Sequence, residues 1–227
     1  MINPEKILDL IRDEIKTAIL YHSLIKRLFD QDKSPLTKSN YVGLLVQIFH
    51  LIRHTPHYLT YASSHSIDDS WMRNWWMDFA VDERGHELLC LADLRRMNLS
   101  EDLALKSLPG VGARAMVANN FYIGSRTPSD LIGFALVTEK LGVTIAQELS
   151  IDIEARYEFT KGATSFIKVH GAEDTEHYDG VIKALNRFVG DEERLNGILH
   201  TARYTLHNYS QLFSDALSHP EVEGVLS

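Results

Sequence analysis

Cysteine occurs once in the 227 residues, at Cys90. A single thiol excludes internal disulfides and cysteine-cluster metal sites, so any metal must be held by nitrogen and oxygen ligands. Long apolar runs are missing too: nothing approaches the roughly 18–20 residues of a membrane span. The opening MINPEKILDLIRDEIK lacks the basic-then-apolar order of a secretory signal. A cytoplasmic protein with no membrane partner is the expectation. Positive charge is scarce, with a formal net charge of −8, and phosphate binding needs a cationic face. Nucleic acid is therefore not expected as a partner. Period-2 alternation, repeats, low-complexity tracts and Gly/Ser linkers are also absent, which leaves no signal for strands or for a second domain.

What remains is an ordinary apolar content of 44%, enough for one sizeable core, and an unusual count of eleven histidines. Helical periodicity runs almost throughout. A first helix spans Ile2–Asp30 with Pro4 in its first turn, and a second starts at Pro35 or Thr37 and runs to about Ser63, kinked by Pro56 near residues 52–56. A third covers Asp68 to Asn98. Further helices are expected over Gly112–Ile123, from Pro128 to about Phe159, over Ala163–Val189, and from an Asp191 cap onward. The expected architecture is one all-helical domain over residues 1–227, about seven helices in a bundle, with a loosely ordered tail from about 219.

The sixth of these helices carries IKVHGAEDTEHYDGV, in which His170, Asp174 and His177 fall on one face. Phe166, Ile167, Val181, Ala184 and Leu185 share that face. Two imidazoles and a carboxylate on a core-facing stripe each cost about 1–3 kcal/mol if left without partners. A metal would satisfy all three; a hydrogen-bonded polar network would also do so.

Further candidate ligands lie elsewhere. Glu83 and His86 form an ExxH pair in DERGHELL, at an i, i+3 spacing that lets both side chains meet one ion on a helix. Glu139 sits among Ile132, Ala135, Leu136, Val143 and Ala146, with Glu148 on an adjoining stripe as the fallback. Gly85, Gly142 and Gly171, each costly inside a helix by about 0.8–1 kcal/mol, would suit close helix packing around a shared centre.

In the ExxH of DERGHELL, the glutamate of LVTEKLG and the H-x3-D-x2-H of HGAEDTEH, the chain resembles the haem-oxygenase-like non-haem di-iron oxidases and oxygenases. These share a superfamily with haem oxygenase, thiaminase II and pyrroloquinoline quinone synthase. FHLIRHTPHYL extends the likeness to roughly Tyr41–Val181. The resemblance implies a haem-oxygenase-like helical bundle and iron ligation by Glu83, His86, Glu139, His170, Asp174 and His177. It implies two irons, the second weakly held, and O2 as co-substrate. Members oxidise amino acids, fatty acids or aromatic precursors by N-oxygenation, desaturation or oxidative C–C cleavage. For this chain it implies an oxidoreductase acting on a small carboxylate, amino acid or acyl compound, in biosynthesis, with an external electron donor as a partner.

Around those ligands, His50 and His54 could support the irons or line the pocket, or face solvent with Gln47 and His57. Arg53 and Arg126 could grip a substrate carboxylate with two prongs, or be surface charges. Trp71, Trp75 and Trp76 suit a core or a homodimer contact. The rival functions are a haem-degrading or haem-binding protein that uses His22, a thiaminase-type hydrolase with Cys90 as nucleophile, and a non-catalytic helical metal-binding protein.

Overall fold

Helix starts follow the capping residues that the sequence offers. Thr37 accepts from the Asn40 amide and Asn40 returns the contact, a complete capping box, while the Asp69 and Asp191 carboxylates accept from Met72 and Arg194 amides. The computed structural model describes residues 2–29 and 32–218, save the side chains of residues 145, 147, 148, 150–152 and 172–175. The tail expected from 219 therefore lies outside the described residues. Every regular element among them is helical, and none is long and apolar enough to cross a membrane.

In chain order the helices are α1 (Pro4–Ile15), α2 (Ser23–Leu28), α3 (Lys38–Ile52), α4 (Thr55–His65), α5 (Ser70–Asp82), α6 (Glu87–Arg96) and α7 (Asp102–Leu105). They continue as α8 (Val111–Arg126), α9 (Ile132–Leu141), α10 (Gln147–Arg156), α11 (Ser165–Asn186) and α12 (Glu192–Leu217). This is more segments than the seven expected, because four of the long helices are broken and the short α7 adds one more. The first is interrupted by a π turn at Lys16–Leu20 and restarts after His22, whose ring caps α2. The second breaks between Ile52 and Thr55, within the stretch where Pro56 is expected to kink it, and Pro56 occupies the opening turn of α4, where its missing N–H costs nothing. The third breaks between Asp82 and Glu87. The fifth is divided by a π turn at Gly142–Ala146.

At about 1.5 Å per residue, α12 is some 39 Å long, and α3, α8 and α9 pack along it. Glycine permits two of these contacts: a Cβ on Gly133 would fall 2.1 Å from the Ile198 carbonyl, and one on Gly43 would fall 2.2 Å from that of Ala216. On the other side of α9, α11 packs against α9 and α6. Val181, Ala184 and Leu185 of α11 are fully buried, and a valine or leucine so placed contributes about 1.5–3 kcal/mol. That burial fixes which face of α11 turns inward, and with it the direction of His170 and His177.

Candidate metal centre

The break in the third helix is where the ExxH pair lies. Glu83 closes α5 as its C-cap and His86 opens α6, with the chain turning at Gly85, whose φ is +93°. Only glycine enters that region without strain, so Gly85 serves a backbone turn and not the helix packing expected of it; a Cβ there would meet nothing closer than 4.0 Å. The pair is therefore not at helical i, i+3 geometry. The turn nevertheless brings Glu83 Oε2 to 3.4 Å from His86 Nδ1.

From α11, His170 places its ring edge-on to that of His86, with centroids 4.9 Å apart. Its Nδ1 donates to the Phe166 carbonyl at 2.9 Å, which leaves the lone pair on Nε2. Glu83, His86 and His170 each offer a ligand atom, and the three atoms lie within 4.8 Å of one another. Two turns on, His177 Nδ1 stands 3.5 Å from Glu139 Oε2 and 3.9 Å from Glu83 Oε1. Glu139 reaches this point from the last full turn of α9, just before the π turn, and its Oε1 accepts from Thr138 Oγ1 at 3.1 Å. Glu83 thus stands between two lobes: His86 and His170 on one side, His177 and Glu139 on the other. The side chains of Asp174 and of the fallback Glu148 lie outside the described residues.

The electrostatics suit a cation. Glu83 and Glu139 are each only 6% exposed, and their described ion-pair partners are imidazoles. Burial raises the Glu139 carboxyl, with the Glu83 charge adding to the rise. Burial pushes the same way on Glu83, but the His86 contact and the charges of His170 and His177 outweigh it and hold the group low. The Glu139 carboxylate, opposed by burial and helped by Glu83 and Asp82, raises His177 to about 8. At 3.5 Å that contact is long for a hydrogen bond, and among the described residues His177 Nδ1 is buried without one. A buried nitrogen facing two carboxylate oxygens at such distances has the spacing of groups that share an ion between them, so the donor set fits a metal.

Two spaces flank the cluster. On one side Glu83, Glu139 and His170 form part of the wall of a cavity of about 140 Å3, otherwise lined mainly by apolar side chains, among them Ile25, Leu44, Leu51, Leu59, Phe134 and Phe213. On the other, His86 and His177 face a polar cleft with Asp78, Asp82 and Glu176. His50, His54, Arg53 and Arg126 line neither. His50 Nε2 pairs with Ser107 Oγ at 2.9 Å, His54 sits at the start of α4, Arg53 covers the Phe49 ring and Arg126 the Tyr122 ring. The residues that do shape the apolar cavity from α2 and α12, such as Ile25 and Phe213, carry no sequence signal beyond the apolar stripe of any packed helix.

Comparison with known proteins agrees with this fold. A domain of unknown function with a haem oxygenase-like fold from Shewanella denitrificans superposes with a TM-score of 0.87 at 16% identity, covering 100% of this chain and 97% of that one. A TenA homologue from Pyrococcus furiosus matches at 0.73 and 12% identity (92% and 99% covered). Another from Pseudomonas syringae matches at 0.74 and 10% identity, with 92% of each chain covered. At such identities these matches establish the haem-oxygenase-like fold alone. No curated protein matches the chain. Residues 42–210, which hold all the sequence-predicted ligands, match the family described as iron-containing redox enzymes, and the chain belongs to that family.

Proposed function

We propose that the protein is an oxygen-dependent non-haem oxidase with two irons, acting on an aliphatic acyl compound. The observation that carries the reading is the position of Glu83, one oxygen toward His86 and the other toward His177, on the wall of an apolar cavity. Glu83, His86 and His170 would hold one ion, Glu139 and His177 the other, with Asp174 of the same helix completing the set. When bound, iron supplies the redox chemistry that activates oxygen for removal of a substrate hydrogen. The chain supplies the rest: Phe166 fixes the His170 tautomer, Thr138 orients Glu139, and the aliphatic wall excludes water and holds the substrate beside the carboxylates.

Among the substrate classes open to such an enzyme, the cavity favours the acyl compound over the amino acid. Among the described residues no lysine or arginine lines it, so a charged head meets no such cation there other than the metal itself. Anaerobic titration with ferrous iron, followed by oxygen exposure, tests the reading. Uptake of about two irons, with oxygen consumption accelerated by fatty acids, supports it; bound metal without oxygen consumption on any substrate points to the non-catalytic alternative.

The haem reading finds the lone pair of His22 already engaged. Its Nδ1 accepts from the Leu24 amide at 3.2 Å, so the proton is on Nε2, which reaches Ser214 Oγ at 3.1 Å. Ser214 in turn donates to the Ser210 carbonyl, leaving it to accept from the ring. A thiaminase-type thiolate is equally unsupported: Cys90 is fully buried, and burial raises its thiol well above the ordinary value.

A further inference from the structure

The helix that carries His170 and His177 has no cap of its own. Thr164, at the N-cap position of α11, makes no capping bond, and its hydroxyl turns instead to Glu154. The orphan amides of the first turn are taken by a carboxylate from another helix: Asp93 Oδ1 accepts from Ser165 N at 2.9 Å and Oδ2 from Phe166 N at 3.0 Å. Asp93 is completely buried, and its remaining charge is met by Arg96 Nη1 at 3.1 Å. Two amides and a guanidinium make it a well-satisfied anion at a helix N-terminus, where the macrodipole adds to its hold.

Asp93 lies seven residues after His86, two turns along α6 on the same face. The residue it grips also reaches the opposite histidine, because the Phe166 carbonyl accepts from His170 Nδ1. One connected path therefore runs from the α6 carboxylate through residue 166 to the ring that meets His86 edge-on. We infer that Asp93 is a positioning residue: it pins the start of α11 to α6, sets the spacing of His86 and His170, and keeps the proton of His170 on Nδ1 so that Nε2 faces the ion. This rests on the metal reading of the cluster, but the clamp itself is tested without metal.

The test compares Asp93→Asn and Asp93→Glu with Asp215→Asn. Asp215 Oδ2 caps α8 from α12 by accepting from Gly112 N at 2.9 Å, a similar interhelical cap outside the ligand cluster. Zn2+ affinity is measured by chelator competition, and the His170 tautomer by 15N shifts in metal-free protein. Asp93→Asn is expected to weaken Zn2+ binding by about 10- to 100-fold, as loss of a supporting contact does, and to mix the His170 tautomers. Asp93→Glu keeps a capping carboxylate but displaces it by a methylene, so it should fold and still lose affinity. Asp215→Asn should lower stability and leave both readouts unchanged. Wild-type affinity and tautomer in Asp93→Glu, or an equal loss in Asp215→Asn, would overturn the assignment. If the wild type binds no Zn2+, the metal reading fails, and the tautomers alone decide on Asp93.

Discussion

Glu83 and His86 are three residues apart yet belong to different helices, and the turn between them sets their carboxylate and imidazole 3.4 Å apart. The turn depends on Gly85 at φ +93°. Replacing it with alanine forces an L-residue into the left-handed region at a cost of about 1–2 kcal/mol, with no steric clash to add to it. Melting should fall by about 2–8 °C, and metal affinity should fall with it. Gly162→Ala is the control: it has the same sign of φ (+69°) and open space, but it lies outside the ligand cluster. A Gly85→Ala variant that binds metal as tightly as Gly162→Ala would separate the turn from the site.

His177 gives the metal-free protein a pH dependence. Its value near 8 when folded lies above the ordinary 6.5, so the stability it contributes is complete below about 6.5 and is lost as pH rises through 8. Metal requires the neutral ring, so protons compete with it. Zn2+ affinity should climb from pH 6.5 to 8 and level off above, and calorimetry in buffers of different ionisation heat should find protons released at pH 7. His177→Gln should flatten this profile; an unchanged slope would assign the protons to another group.

The helices were legible because their buried stripes are local: Ile7, Ile11 and Ile15 recur at helical spacing and are buried as that spacing implies. The breaks were harder to read. DERGHELL keeps its periodicity through a turn, and only Gly85, a glycine in a would-be helix interior, marks it. The ligand segments were legible because acids and imidazoles on apolar faces demand partners. Asp93 was not, because its partners, the amides of Ser165 and Phe166, lie some seventy positions away and amides have no sequence identity. The histidines of α3 and α4 show the converse: they share helical spacing with Gln47, but His50 pairs with Ser107 and the break after Ile52 puts His54 at the start of α4.

Glu83 serves both lobes, which predicts unequal effects on metal content. His170→Ala and His177→Ala each disable one lobe and should bring iron uptake from about two per chain to about one. Glu83→Gln removes a charge from both, and should bring uptake below that of either histidine variant. Colorimetric iron analysis after anaerobic loading reads the difference. Equal uptake in all three variants would mean that the cluster holds a single ion.

The apolar cavity and the ligand cluster can be separated by filling one without touching the other. Ala146 lines the cavity at the end of the π turn and is 8% exposed. Phenylalanine there would occupy the space a chain needs, with an overpacking cost of about 1–3 kcal/mol at most, since the ring enters a void. Displacement of an apolar fluorescent probe by saturated fatty acids of graded length should weaken or vanish in Ala146→Phe, while Zn2+ affinity stays at the wild-type level. Arg53→Ala and Arg126→Ala should bind the acids normally, because the guanidinium groups lie over the Phe49 and Tyr122 rings and outside the cavity. Loss of fatty-acid binding in either arginine variant, with Ala146→Phe unaffected, would place the substrate outside the apolar cavity and return the carboxylate-gripping role to the arginines.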